Sequence, residues 1–65
     1  MTPQERQTVK QSAADHHNGD LTAAACEYVG CLTEYQNSGN QVPDEYTMTV
    51  RAVVAEVEAY DDQAG

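Results

Sequence analysis

The sequence predicts an all-α protein, a small three-helix bundle with helices at about residues 2–17, 21–36 and 44–60. Three observations lead to this prediction. Two stretches carry apolar residues at steps of three and four, the spacing that places side chains on one face of a helix. Each predicted helix begins with residues typical of helix starts. Polar segments that contain glycine separate the helices.

The first helix opens with a capping box, in which Thr2 precedes Pro3 and Glu5 occupies the third helical position. Its apolar content is small, so we expect this helix to cover a core rather than nucleate one. Asn18 and Gly19 should end it, because glycine readily adopts the left-handed conformation that follows many helices.

A second helix is predicted over residues 21–36, with Asp20 as a favourable N-cap. Its apolar face runs without a break through Leu21, Ala24, Ala25, Tyr28, Cys31, Leu32 and Tyr35. In this pattern Cys31 packs as a small hydrophobic residue, whereas Cys26 faces away from the stripe. Gly30 falls inside the helix, where glycine costs about 1 kcal/mol relative to alanine. Either a neighbouring helix approaches closely there or the glycine is simply tolerated.

The third helix has the most regular apolar pattern in the chain, and we therefore take it as the core helix. Tyr46, Val50, Val53, Val57 and Tyr60 recur at steps of four and three, and Val54 widens the stripe. Pro43, Asp44 and Glu45 suit the start of a helix. Beyond residue 60 we expect a short frayed tail, residues 61–65.

A second stripe of this helix, Met48, Ala52, Ala55 and Ala59, lies nearly opposite the first. A helix with apolar residues on two faces is often sandwiched between other elements. The stripe therefore suggests a homodimer contact, although small alanines also occur on surfaces without a role.

The whole chain, residues 1–65, fits a single acidic helical domain. Eleven acidic residues stand against three basic ones, for a net charge of −8, and Arg51 is the only Lys or Arg beyond Lys10. Such a field repels nucleic acid and anionic membranes and attracts basic protein surfaces. The alternative is that the charge serves only solubility.

Residues 1–20 are polar and do not resemble a signal peptide. No segment approaches the roughly 20 apolar residues that cross a bilayer. We therefore expect a cytoplasmic protein with reduced thiols, without direct contact to nucleic acid or membrane.

The predicted partner-binding surface combines carboxylates with tyrosines. Asp20, Glu27 and Glu34 recur every seven residues and would form one column at intervals of about 10.5 Å, beside a column that contains Tyr28 and Tyr35. The complete set of predicted partner-binding residues is Asp20, Glu27, Glu34, Tyr28, Tyr35, Glu45, Glu56, Glu58, Asp61 and Asp62.

Spacing argues against a metal site or a disulfide. Cys26 and Cys31 are five residues apart and would point about 140° away from each other on a helix, which suits neither a zinc site nor a disulfide. The adjacent His16 and His17 cannot share a helix face. A pocket of about 300 Å³ or more is hard to enclose with so few large side chains. We expect no metal, no cofactor and no enzymatic activity.

Together these features predict a non-catalytic acidic binding protein, an inhibitor that occupies the basic nucleic-acid-binding surface of a protein complex. In size and charge alone, the chain is similar to small acidic anti-CRISPR and anti-restriction proteins of phages. The alternative is a helical protein-interaction or dimerisation module with a regulatory or structural role.

Overall fold

The computed structural model describes residues 1–38 and 41–64, and side chains up to Tyr60. Within these residues the chain forms four helices and no strand: α1 (Pro3–His16), α2 (Leu21–Val29), α3 (Leu32–Asn37) and α4 (Asp44–Ala64). The all-α fold class and the helical bundle are confirmed. The number of helices differs from the prediction, because the second predicted helix is divided into α2 and α3.

The division occurs at Gly30, which adopts the left-handed conformation with φ 99° and ψ 16°. The N–H groups of Gly30 and Cys31 both donate to the carbonyl of Cys26, at 2.9 and 2.8 Å. In an unbroken helix the Cys31 N–H would instead reach the carbonyl of Glu27. No other group lies within 4 Å of the position that a β-carbon on Gly30 would take. The glycine is therefore needed for its backbone conformation, and neither close helix packing nor simple tolerance explains it.

The start and end of α1 agree with the predicted signals. The Thr2 N–H donates to the Glu5 carboxylate at 2.9 Å, and the Glu5 N–H donates to the Thr2 hydroxyl at 3.1 Å. After His16, Asn18 and Gly19 take positive φ values of 54° and 85°. The predicted capping box and helix stop are thus both present.

At the centre of the bundle lies α2, which packs against α1, α3 and α4. The residues Ala23, Ala24, Ala25 and Cys26 are all buried, because neighbours cover this helix on several sides. Two expectations about its faces are therefore wrong. Cys26 is fully buried rather than turned away from the core, and Tyr28 is 44% exposed rather than part of the apolar face.

The seam of α4 is confirmed at its three central valines: Val50, Val53 and Val57 are buried and pack with Val9 of α1 in one core cluster. Tyr46, Val54 and Tyr60 are only partly buried. The helix continues to Ala64, beyond its predicted end at residue 60. Gly65 lies outside the described residues, and fraying of residues 61–65 stays a prediction.

A substitution at Gly30 distinguishes the turn from an unbroken helix, because the two arrangements predict opposite changes in the free energy of unfolding. We expect Gly30→Ala to lower the free energy of unfolding by about 1 kcal/mol, because the left-handed conformation costs a residue with a β-carbon roughly that amount. Urea unfolding of the two proteins measures the difference. Gly30→Asn is the matched control and should lose less, since asparagine tolerates this conformation. A gain of about 1 kcal/mol in Gly30→Ala, as expected inside an unbroken helix, would contradict the turn.

Candidate functional site

A groove lies between α3 and α4. Within the described residues, α3 packs against α2 alone, whereas α4 packs against α1 and α2. A cavity of about 630 Å³ is left between α3 and α4, a size common among ligand pockets. The groove is open to solvent rather than enclosed, and it forms because the turn at Gly30 moves α3 out of line with α2.

The groove has a buried apolar floor and an exposed polar rim. Cys26 of α2 and Val50 of α4 are its buried members, and Val42 and Val54 are half-buried beside them. Its exposed members are Thr22, Gln41, Arg51, Ala55 and Glu58, and Thr47 and Tyr35 are intermediate in burial. The groove thus offers apolar contact inside and both signs of charge at the edge. Sequence reasoning missed it because it depends on where α3 lies, which no residue pattern specifies.

Three of the predicted partner-binding carboxylates form hydrogen bonds or ion pairs with other groups of the same chain. Asp20 caps α2 by accepting the Ala23 N–H at 3.2 Å. Glu27 accepts the Ser12 hydroxyl at 2.9 Å and lies 3.5 Å from the His17 ring. The Glu56 carboxylate lies 3.3 Å from the amino group of Met1. These three acids therefore help to connect the elements of the fold.

Both predicted contact tyrosines also donate to acids of the same chain. The Tyr28 hydroxyl donates to Glu5 and connects α2 to α1, and the Tyr35 hydroxyl donates to Asp20 at 3.0 Å. The pKa of Tyr28 is raised chiefly by the hydrogen bond to Glu5. For Tyr35, burial is the largest cause of a raised pKa, and the bond to Asp20 is the next. Each hydroxyl is thus held as a protonated donor.

A second group of predicted acids has no such role. Within the described residues, the carboxylates of Glu34, Glu45 and Glu58 form no hydrogen bond or ion pair. These residues belong to α3 and α4, the two helices that border the groove. Asp61 and Asp62 belong to α4, and their side chains lie outside the described part of the chain.

The predicted column of Asp20, Glu27 and Glu34 does not exist as one row. A seven-residue repeat forms a column only on an unbroken helix, and the turn at Gly30 places Glu34 on a separate helix from Glu27. The three acids therefore do not lie along one helix axis. The first two belong to the N-cap and body of α2, and the third belongs to α3.

The Cys26 thiol on the groove floor has low reactivity in the reduced protein. Burial, and then the neighbouring Cys31 thiol, raise the pKa of Cys26 to about 12. The thiol is therefore protonated at neutral pH and is a poor nucleophile and a poor metal ligand. Across residues 1–38 and the described part of α4, no three His, Cys, Asp or Glu side chains are arranged to hold a metal ion.

No protein-family model, no curated protein and no solved structure matches this chain. Among the helices that the structure describes, none is both long and apolar enough to span a membrane.

The Glu5–Tyr28 pair makes the stability of the fold sensitive to acid. Hydrogen bonds from the Thr2 N–H, the largest cause, and from the Tyr28 hydroxyl lower the pKa of Glu5 from 4.5 to about 2. The unfolded chain therefore binds a proton at this group at a higher pH than the folded chain does. Its contribution to stability is complete above about pH 4.5 and is lost as the pH falls towards about 2.

We expect Glu5→Gln to remove this part of the acid sensitivity. Urea unfolding at several pH values between about 6 and about 2 would give a smaller loss of stability in Glu5→Gln than in the wild type. Tyr28→Phe, which removes one of the two main causes, should fall between them. Equal pH dependence in all three proteins would show that the pair does not act in this way.

Proposed function

We propose that the protein is a non-catalytic acidic binding protein that occupies a basic surface of another protein. In the form we favour, that surface is the nucleic-acid-binding site of a protein complex, and occupation inhibits the complex. Small acidic anti-CRISPR and anti-restriction proteins are similar to it in size and charge alone. The proposal includes a cytoplasmic location, because complexes that handle nucleic acid work there.

The observation that carries the proposal is the division of the acids into two groups. Asp20, Glu27 and Glu56 have partners within the fold, whereas Glu34, Glu45 and Glu58 have none among the described residues. Carboxylates without an internal partner are available to the lysines and arginines of another protein. Complementary charge of this kind increases association rates and excludes wrong partners.

The few basic residues of the chain reduce the negative potential of the acidic surface only slightly. Arg51 is the only Lys or Arg beyond residue 10, and it lies on the groove rim together with Glu58. The net charge of −8 on 65 residues therefore leaves the surface of α3 and α4 predominantly negative. Such a surface attracts a basic partner over a distance of about 8–10 Å at ordinary ionic strength.

The test begins with capture of basic proteins from the host lysate on immobilised protein, followed by purification of a captured partner. Affinity for that partner should fall at least about tenfold between low and high salt, as charge pairs are screened. Affinity that does not change with salt would contradict the proposal.

Two double variants then locate the contact, because each removes two negative charges. Glu34→Gln/Glu58→Gln removes acids without a described partner and should slow association with the captured protein. Asp15→Asn/Glu27→Gln alters exposed acids of α1 and α2 that contact Gln11 and Ser12 and should slow association much less. Equal slowing by both variants would mean that net charge alone matters and that the surface of α3 and α4 is not the contact.

A second function, a helical dimerisation module, is favoured by one observation. Met48 is 78% exposed, and the rest of its stripe, Ala52, Ala55 and Ala59, is exposed as well. Arg51 and Glu58 flank this stripe seven residues apart. In an antiparallel pair of α4 helices, each arginine would therefore face the glutamate of the second copy.

Sedimentation equilibrium tests this second function. A dimer would show a concentration-dependent mass above that of the monomer, and Ala55→Glu should abolish it by placing a charge in the contact. Ala14→Glu makes the same change at an exposed position of α1 and should leave the dimer intact. A strict monomer at all concentrations would rule this function out.

A further inference from the structure

The chain has two cysteines, and the structure brings them together. Both are free thiols with exposed fractions of 0%. They flank the left-handed turn: Cys26 lies three residues before Val29, the last residue of α2, and Cys31 is the second residue after it. At helix ends of this kind, the N–H at the position of Cys31 donates to the carbonyl at the position of Cys26, and the two side chains are often in contact. That hydrogen bond is present here, at 2.8 Å.

This hydrogen bond limits the distance between the two α-carbons. Covalent geometry fixes the distance from each α-carbon to its own hydrogen-bonding atom. With an N···O distance of 2.8 Å, the α-carbons of Cys26 and Cys31 can therefore be at most about 6.7 Å apart. A disulfide usually joins α-carbons about 4.4–6.8 Å apart. The expected separation of about 140° applied to an unbroken helix and is wrong for this turn.

The surroundings of the two thiols favour a bond between them rather than with other groups. Both belong to the apolar core cluster, with Ala24, Ala25 and Val57. The Cys31 thiol is near enough to Cys26 to raise its pKa, after burial. Each thiol therefore has the other beside it within the apolar core.

A reagent has a route to this pair. Cys26 lies on the floor of the groove. The six-residue helix α3 has no side-chain cap at its N-terminus and packs against α2 alone within the described residues. Short elements with few tertiary contacts open locally at low free-energy cost. Opening of α3 would release Cys31, its N-cap residue, and would widen the groove whose floor contains Cys26.

We propose that Cys26 and Cys31 form a modification site, at which a small-molecule disulfide such as oxidised glutathione converts the two thiols into an intramolecular disulfide. When α3 opens and water reaches the pair, one cysteine loses its proton, and its thiolate attacks the oxidant, so that a mixed disulfide forms and one glutathione thiolate leaves. The thiolate of the other cysteine then attacks the protein sulfur of the mixed disulfide, and the second glutathione leaves. Two protein thiols lose two electrons, one small disulfide is reduced to two thiols, and the two protons pass to the glutathione thiolates.

The product would fasten the start of α3 to α2. Tyr35, which lines the groove from α3, would then be held in place by a covalent bond near the turn as well as by its hydrogen bond to Asp20. This modification is separate from the proposed binding of a basic partner, and either can hold without the other.

The test uses the folded, full-length protein with oxidised glutathione as the probe. After incubation and acid quenching, the glutathione is removed, the protein is unfolded in denaturant at mildly alkaline pH with iodoacetamide, and the intact mass is measured, because iodoacetamide reacts only with exposed thiolates. We expect the wild type to lose two hydrogens and to gain neither glutathione nor an alkyl group. Its helical circular dichroism should not change. Amide hydrogen exchange in α3 should become slower, because the crosslink limits its opening.

Single-cysteine variants provide the control. Cys26→Ser and Cys31→Ser each keep one thiol and should accumulate the glutathione adduct, since no second thiol can displace it. In the wild type, a stable glutathione adduct, a disulfide between two chains, or two thiols that remain open to alkylation would each overturn the proposal. Loss of helical signal on oxidation would overturn it as well. If either variant fails to fold, the intact mass of the oxidised wild type still tests the proposal.

Discussion

The carbonyl of Cys26 accepts two hydrogen bonds, from the N–H groups of Gly30 and Cys31, and much of the structure depends on this arrangement. It ends α2 at Val29, six residues before the apolar pattern ends at Tyr35. It turns the chain so that α3 packs on α2 without joining α4. The groove, the pairing of the two thiols and the loss of the acidic column all follow from that change of direction.

Small side chains allow a chain without phenylalanine or tryptophan to build a core. The centre of the bundle is α2, where Ala23, Ala24, Ala25 and Cys26 are buried against helices on several sides. Because these side chains are short, neighbouring backbones can lie close to α2. The valines of α4 fill the remaining space. Tyrosines contribute at the edge, where Tyr28 and Tyr35 keep a hydrogen-bonding hydroxyl.

Sequence patterns predicted the elements whose signals are local. The Thr2–Glu5 box and the valine seam of α4 depend on neighbouring residues in the chain, and both are found as expected. The sequence did not predict that Gly30 ends a helix, because glycine can occur either inside a helix or at its end. The burial of Cys26 was missed for a related reason: an alanine-rich helix covered on several sides has no single apolar face to detect. The groove required the position of α3, which is a tertiary property.

The acceptor of the Cys31 amide hydrogen bond tests this account most directly. Nuclear magnetic resonance can detect the scalar coupling across a hydrogen bond between the amide nitrogen and the accepting carbonyl carbon. The account predicts coupling from the Cys31 amide to the carbonyl carbon of Cys26. Coupling to the carbonyl carbon of Glu27, the partner in an unbroken helix, would contradict the turn and everything that depends on it.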